Sequence, residues 1–205
     1  GAGWAKLQEI RDSLIRLAGS GKPVVAFLRT PGTREYYLAS AAGRLYMPPE
    51  DMLDLKGLRA ELTFFRGTLD KLGVQVEIEH AGKYKDYGDM FTRTSMSPET
   101  REVLTGVLDE IYGRLIDSVA ASRKKTPAEI RATIDEGPFL AAQAKAKGLV
   151  DGLLYEDQVT GEIEKAAGGG SLKRIGVRDY LRARPGGRAK GSRARVAMIV
   201  GEGTI

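Results

Sequence analysis

The chain has 205 residues, 42% hydrophobic and 29% charged, enough for one packed domain of roughly 150 residues with extensions. It has no cysteine and one histidine, His80, which excludes disulfides, thiolate nucleophiles, cysteine–zinc sites and any site built from two histidines. The net charge is +5, but 182–195 (RARPGGRAKGSRAR) alone holds six basic residues and no acidic or aromatic one, so the excess reads as a solvated linker, with acidic headgroups or nucleic acid as the lesser alternatives.

No run approaches the roughly 20 apolar residues of a membrane span, and no secretory signal opens the chain. It starts without methionine and stops in mid-pattern, so it is expected to be a soluble piece of a longer protein. A signal or anchor would then lie upstream.

Trp4, Leu7, Ile10, Leu14 and Leu17 recur at helical spacing. Gly19-Ser-Gly21 ends that helix, and 23–28 (PVVAFL) follows as a buried strand. A second helix is expected over 35–42 and a strand over 44–47, before Pro48-Pro49. A helix over 58–72 ends at Gly73, and Val74, Val76 and Ile78 alternate as a half-buried strand. Ser97-Pro98-Glu99 starts the clearest helix, with an N-cap, a first-turn proline and an acid at the positive end. Val103, Leu104, Val107, Leu108, Ile111, Leu115 and Val119 mark one apolar face. Thr126 and Glu129 have capping-box spacing, and a further helix covers 139–147, ending at Gly148.

Strands alternating with helices predict an α/β layered domain. The expected organisation is a repeat over 1–167, then a small packed appendage and basic linker over 168–194. A new strand at 195–205 would open a second domain.

Three features compete for chemistry. Gly82-Lys83-Tyr84-Lys85 follows the strand ending near Glu79, and its lysines share a side if the chain is extended. Lysine works as a general base only when neutral, which calls for desolvation or a neighbouring cation. Most such lysines are plain surface residues. Thr33, in Pro31-Gly-Thr-Arg-Glu-Tyr-Tyr37, could be an exposed nucleophile, but a threonine capping the next helix is the simpler reading. His80 reads as a polar strand end, and Glu77 with Glu79 as a solvated charged face.

In order along the chain, SGKPVVAFL (20–28), EYYLASAAGRLYMPP (35–49), TLDKLGVQ (68–75), GKYKDYGDMFTRTSMSPETRE (82–102) and AKAKGLVDGL (144–153) resemble the signal peptide peptidase A (protease IV) family. The likeness is to the first repeat of its long, two-repeat form, and G-x-Y-K followed by F-T-R-x-x-M-S-P-E is its most specific part. The resemblance implies a ClpP/crotonase-like fold, a layered βα spiral, and a serine–lysine dyad split between repeats. Lys85 would be the catalytic lysine. The serine would come from a Ser-Gly-Gly-Tyr-Tyr segment of the second repeat; here Thr33, Arg34 and Glu35 stand at the corresponding positions.

The resemblance further implies a serine endopeptidase degrading cleaved signal peptides, with no cofactor or metal and no nucleic-acid partner. Its partners would be apolar peptides, the second repeat and further copies in a homo-oligomer. Its location would be the extracytoplasmic (periplasmic) face of the cytoplasmic membrane, held there by segments outside this chain. The fragment alone would be inactive. A non-catalytic assembly repeat and a crotonase-type acyl-CoA enzyme remain the alternatives.

Overall fold

The computed structural model describes residues 3–79, 82, 84–166 and 174–183. The chain forms two compact units, Gly1–Glu162 and Ile163–Ile205. The first is built around a parallel sheet in the order β1-β2-β5, from β1 (Val25–Phe27), β2 (Arg44–Met47) and β5 (Gly152–Leu153). Val25 pairs with Arg44 and Phe27 with Tyr46; on the other edge Tyr46 pairs with Gly152. Leu45, Tyr46 and Met47 are all buried. Consecutive buried residues mark a central strand covered on both faces, as parallel sheets require.

Parallel neighbours need a crossover. Between β1 and β2 it is α2 (Thr33–Ala39), which packs against α1 (Trp4–Gly19). Trp4 meets Tyr37 edge-on, with ring centroids 5.7 Å apart. Buried Arg11 of α1 donates to Tyr37 O and to Ser40 Oγ (2.8 Å), and on its other branch to Ser118 O (2.9 Å) and Ser122 Oγ (2.6 Å). One guanidinium thus joins α1, the end of α2 and α5 (Pro98–Arg123). Burial lowers its pKa, but its carbonyl and hydroxyl partners make it tolerable as a buried cation.

Between β2 and β5 the chain passes through β3 (Met52–Leu53), α3 (Arg66–Lys71), α4 (Asp89–Thr92), α5, α6 (Pro127–Asp135), β4 (Phe139–Leu140) and α7 (Ala141–Ala146). Strands β3 and β4 pair antiparallel. Leu45, Met47, Leu53, Leu55, Leu115, Ile116, Val119, Ile130 and Leu149 form the heart of the core. At about 25 cal/mol per Å² of apolar area removed from water, this cluster is the main favourable contribution to folding.

Several expectations are met, and others are corrected. α1, β1 and β2 fall where periodicity places them, and α5 starts at Pro98 with Ser97 Oγ accepting from Thr100 N. The helix expected over 58–72 is only α3, because its flanking apolar residues, Leu62 and Phe65, find no core to bury against and stay exposed. The strand expected over 74–78 does not form; among the described residues nothing pairs with it, and Val74 and Ile78 are exposed. The apolar stripe of α5 buries only its second half, from Leu115 onward, while Val103 and Val107 are 46% and 50% exposed. Residues 139–140 are strand rather than helix, since they pair with Met52–Leu53.

Within the second unit, α9 (Val177–Ala183) and its approach carry Ile175, Val177, Tyr180 and Leu181 as exposed residues. α8 (Glu156–Ala166) ends the first unit and begins the second. The expected strand at 195–205, most of the basic segment 182–195, His80 and Lys83 lie outside the described residues.

Candidate active site

Lys85 sits in a short loop between the 74–79 segment and α4. Gly82 enters this loop at φ 106°, a backbone region glycine reaches without steric cost. Lys85 N–H turns back to Gly82 O (3.4 Å), and Asp89 N–H donates to Asp86 O (2.8 Å) as α4 begins. Gly88 has to be small: a Cβ there would lie 2.7 Å from Ile78 Cγ2. The side chain of Lys85 is exposed.

The loop is tied to α5 through the residue after the lysine. Thr100 Oγ1 donates to Asp86 Oδ2 at 2.5 Å, and Thr100 is also bonded to the N-cap residue Ser97 through both its hydroxyl (2.7 Å) and its N–H (3.1 Å). The G-x-Y-K and M-S-P-E motifs therefore meet in space through the residues that follow them, Asp86 and Thr100. Neither was singled out from sequence, although both lie inside the longer stretch 82–102.

Beside this loop lies an apolar cleft of about 580 Å³, formed by 61–65, the 84–90 segment and the first turns of α5. Leu62, Phe65, Met90, Val103 and Leu104 line it, and Glu61, Asp86, Asp89 and Glu99 bring carboxylates to it. Phe65 N–H donates to Met90 O (2.7 Å), and Phe65 stacks on Phe91 at 6.0 Å, which holds α3 against α4. The exposed half of the α5 stripe thus forms part of a cleft wall. This size and lining suit an apolar group.

Thr33 is placed elsewhere. It is the first residue of α2 and not its cap: Gly32 is the N-cap, and Glu35 Oε2 accepts from Gly32 N–H (3.2 Å). Thr33 Oγ1 donates to Lys56 O (2.8 Å) and accepts from Lys56 N–H (3.1 Å), so its hydroxyl is committed in both directions. Arg34 stacks on Trp4 at 5.7 Å. All three residues that stand at the Ser-Gly-Gly positions therefore have structural partners. Glu77 and Glu79 are exposed, and among the described residues no group of three acidic or histidine side chains could hold a metal ion.

The Gly148-Leu-Val-Asp151 turn is a structural element. Gly148 takes φ 69° after α7. Asp151 Oδ2 accepts from Leu45 N–H (2.7 Å) at the head of β2, and its Oδ1 pairs with Arg123 (3.1 Å), whose side chain is 6% exposed. The Tyr36 hydroxyl donates to Leu149 O (2.8 Å), and burial pushes this phenol well above its ordinary pKa.

A parallel α/β domain presenting one lysine beside an apolar cleft, on a Gly-Lys-Tyr-Lys segment, falls in the class of α/β peptidase domains once known proteins are compared. The profile of peptidase family S49 matches residues 16–169, and the chain belongs to that family. It is 32% identical over 178 residues to the chloroplastic serine protease SPPA of Arabidopsis thaliana, covering 87% of this chain and 26% of that protein. It is 31% identical to Protease 4 of Salmonella typhi and 29% identical to Protease 4 of Haemophilus influenzae, covering 75% and 90% of this chain and 23% and 32% of theirs. The chain thus spans a quarter to a third of the length of these relatives. No helix among the described residues is long and apolar enough to cross a membrane.

Proposed function

We propose that this chain is the lysine-bearing repeat of a serine endopeptidase with a serine–lysine dyad, and that Lys85 is its general base. The observation that carries this reading is the contrast between two sites. Lys85 is exposed on a tethered loop beside an apolar cleft, whereas the Thr33 hydroxyl is locked between the backbone atoms of Lys56.

In the assembled enzyme the serine comes from a second repeat, which covers Lys85 and excludes water from it. Lys85 takes the hydroxyl proton as the serine attacks a peptide carbonyl, then returns it to the departing amine. Backbone amides of the second repeat stabilise the oxyanion. The substrates are apolar peptides, cleaved signal peptides among them, and the cleft receives their side chains. The repeats stack as a ClpP/crotonase-like layered spiral, with 1–167 as the first repeat, 168–194 as appendage and linker and 195–205 opening the second. Copies assemble into a homo-oligomer at the extracytoplasmic face of the cytoplasmic membrane.

Lys85→Ala tests the reading in the protein that carries both repeats. The expected result is a fall in kcat of about 10²–10⁴, the usual contribution of a positioned acid–base group. Near-normal cleavage of an apolar peptide would overturn the assignment.

A further inference from the structure

A general base must sit within about 2.6–3.2 Å of the proton it removes. Lysine is poorly suited to this by itself, because its ammonium hangs on a flexible four-carbon stem. Fixing the backbone next to the lysine leaves that stem its own torsions but sets the point from which it reaches. In this chain Asp86 holds the backbone that follows the lysine.

The direction of the Asp86 tether follows from proton counting. Thr100 has one hydroxyl proton, and Asp86 Oδ2 takes it at 2.5 Å. The 2.7 Å contact between Ser97 Oγ and Thr100 Oγ1 is therefore donated by Ser97. The two hydroxyls form a relay from Ser97 through Thr100 to Asp86, and both residues are nearly out of solvent, Thr100 at 6% and Ser97 at 8% exposure. The last bond of this relay goes to a charged acceptor, the stronger kind of hydrogen bond, and its donor is shielded from competing water. The relay starts on the N-cap of a 26-residue helix, which is anchored in the core by its second half. Rigidity is thus carried from the core to the peptide bond that follows Lys85.

We propose that Asp86 and Thr100 are positioning residues for Lys85, setting the backbone from which its amine reaches the serine. The proposal rests on Lys85 being the general base, and its test separates the two. In the two-repeat protein, Thr100→Val keeps the shape of the side chain and removes the donor. It is expected to lower kcat by about 10²-fold, the cost of a misplaced catalytic group, with KM changed less than about twofold. Thr100→Ser restores the donor and is expected to recover most of the rate. Should the valine variant yield no folded protein, Asp86→Ala removes the acceptor and is expected to show the same loss in kcat.

A kcat within about twofold of the parent in these variants, with Lys85→Ala inactive, overturns the positioning role and leaves the base assignment standing. A loss that Thr100→Ser fails to recover, or one that merely follows a lowered melting temperature, makes the tether a folding element only and also overturns the proposal. Full activity in Lys85→Ala overturns both readings together.

Discussion

Thr100 donates its hydroxyl proton to Asp86 across 2.5 Å, and so couples the loop that carries Lys85 to the first turn of the longest helix. The contact spans 14 residues of sequence and gives a physical reason for the pairing of the lysine segment with the Ser-Pro-Glu-Thr segment that follows. Asp86 adjoins the lysine in sequence, and Thr100 is bonded in turn to the N-cap Ser97.

The cap beneath that contact is expected to matter for stability. Ser97→Ala removes the N-cap acceptor of Thr100 N–H and the donor to Thr100 Oγ1. Urea unfolding should show a loss of about 1–2 kcal/mol, at the upper part of the range for a serine cap because the site is buried.

Asp151 supports β2 rather than the cleft. Asp151→Ala leaves Leu45 N–H without its carboxylate and Arg123 without its counter-ion. Breaking a fully buried pair costs about 3–5 kcal/mol. Asp151 is 32% exposed, and solvent screening reduces the expected loss to about 2–3 kcal/mol, read as a lowered urea midpoint.

Gly152 faces Tyr46 across the parallel pair, and a Cβ there would lie 2.9 Å from two atoms of the tyrosine ring. Gly152→Ala is expected to cost about 1–3 kcal/mol through overpacking. Gly161→Ala, inside α8 with open space around its Cβ, is the contrast and should raise stability by up to about 1 kcal/mol, as alanine favours a helix interior over glycine.

The capping box of α6 predicts an acid dependence. The Thr126 N–H, and then its hydroxyl, hold the Glu129 carboxyl below its ordinary value of 4.5. The folded state favours the ionised form, so the contribution is present above the ordinary value and is lost as pH falls through the lowered one. The stability difference between the parent and Glu129→Gln should therefore narrow as pH falls from 7 toward 3, as measured by denaturant unfolding at each pH.

The elements most legible in the sequence are those whose signals are local. The caps at Ser97 and Thr126, the breaker Gly148 and the alternation into β1 and β2 depend on neighbours within a few residues, and all appear where those neighbours place them. Residues 58–65 and 74–78 carry equally regular patterns yet form neither helix nor strand, because periodicity selects an element only when its apolar side has something to cover. The stripe along α5 fails in the same way over its first half, which turns to the cleft.

Lys85 itself illustrates the division. By sequence alone the family was within reach, because it rests on short stretches whose order along the chain needs no fold to be read, and the family comparison bears it out. The alternation of strands and helices was enough for the α/β class, while the parallel pairing came only from the structure. Tertiary structure alone decided that Asp86 holds the lysine loop through Thr100, that Thr33 is locked to Lys56, and that Arg11 and Asp151 join elements more than a hundred residues apart. A hydrogen bond depends on distance and angle between particular atoms, and for residues far apart in sequence only the folded path of the backbone sets these.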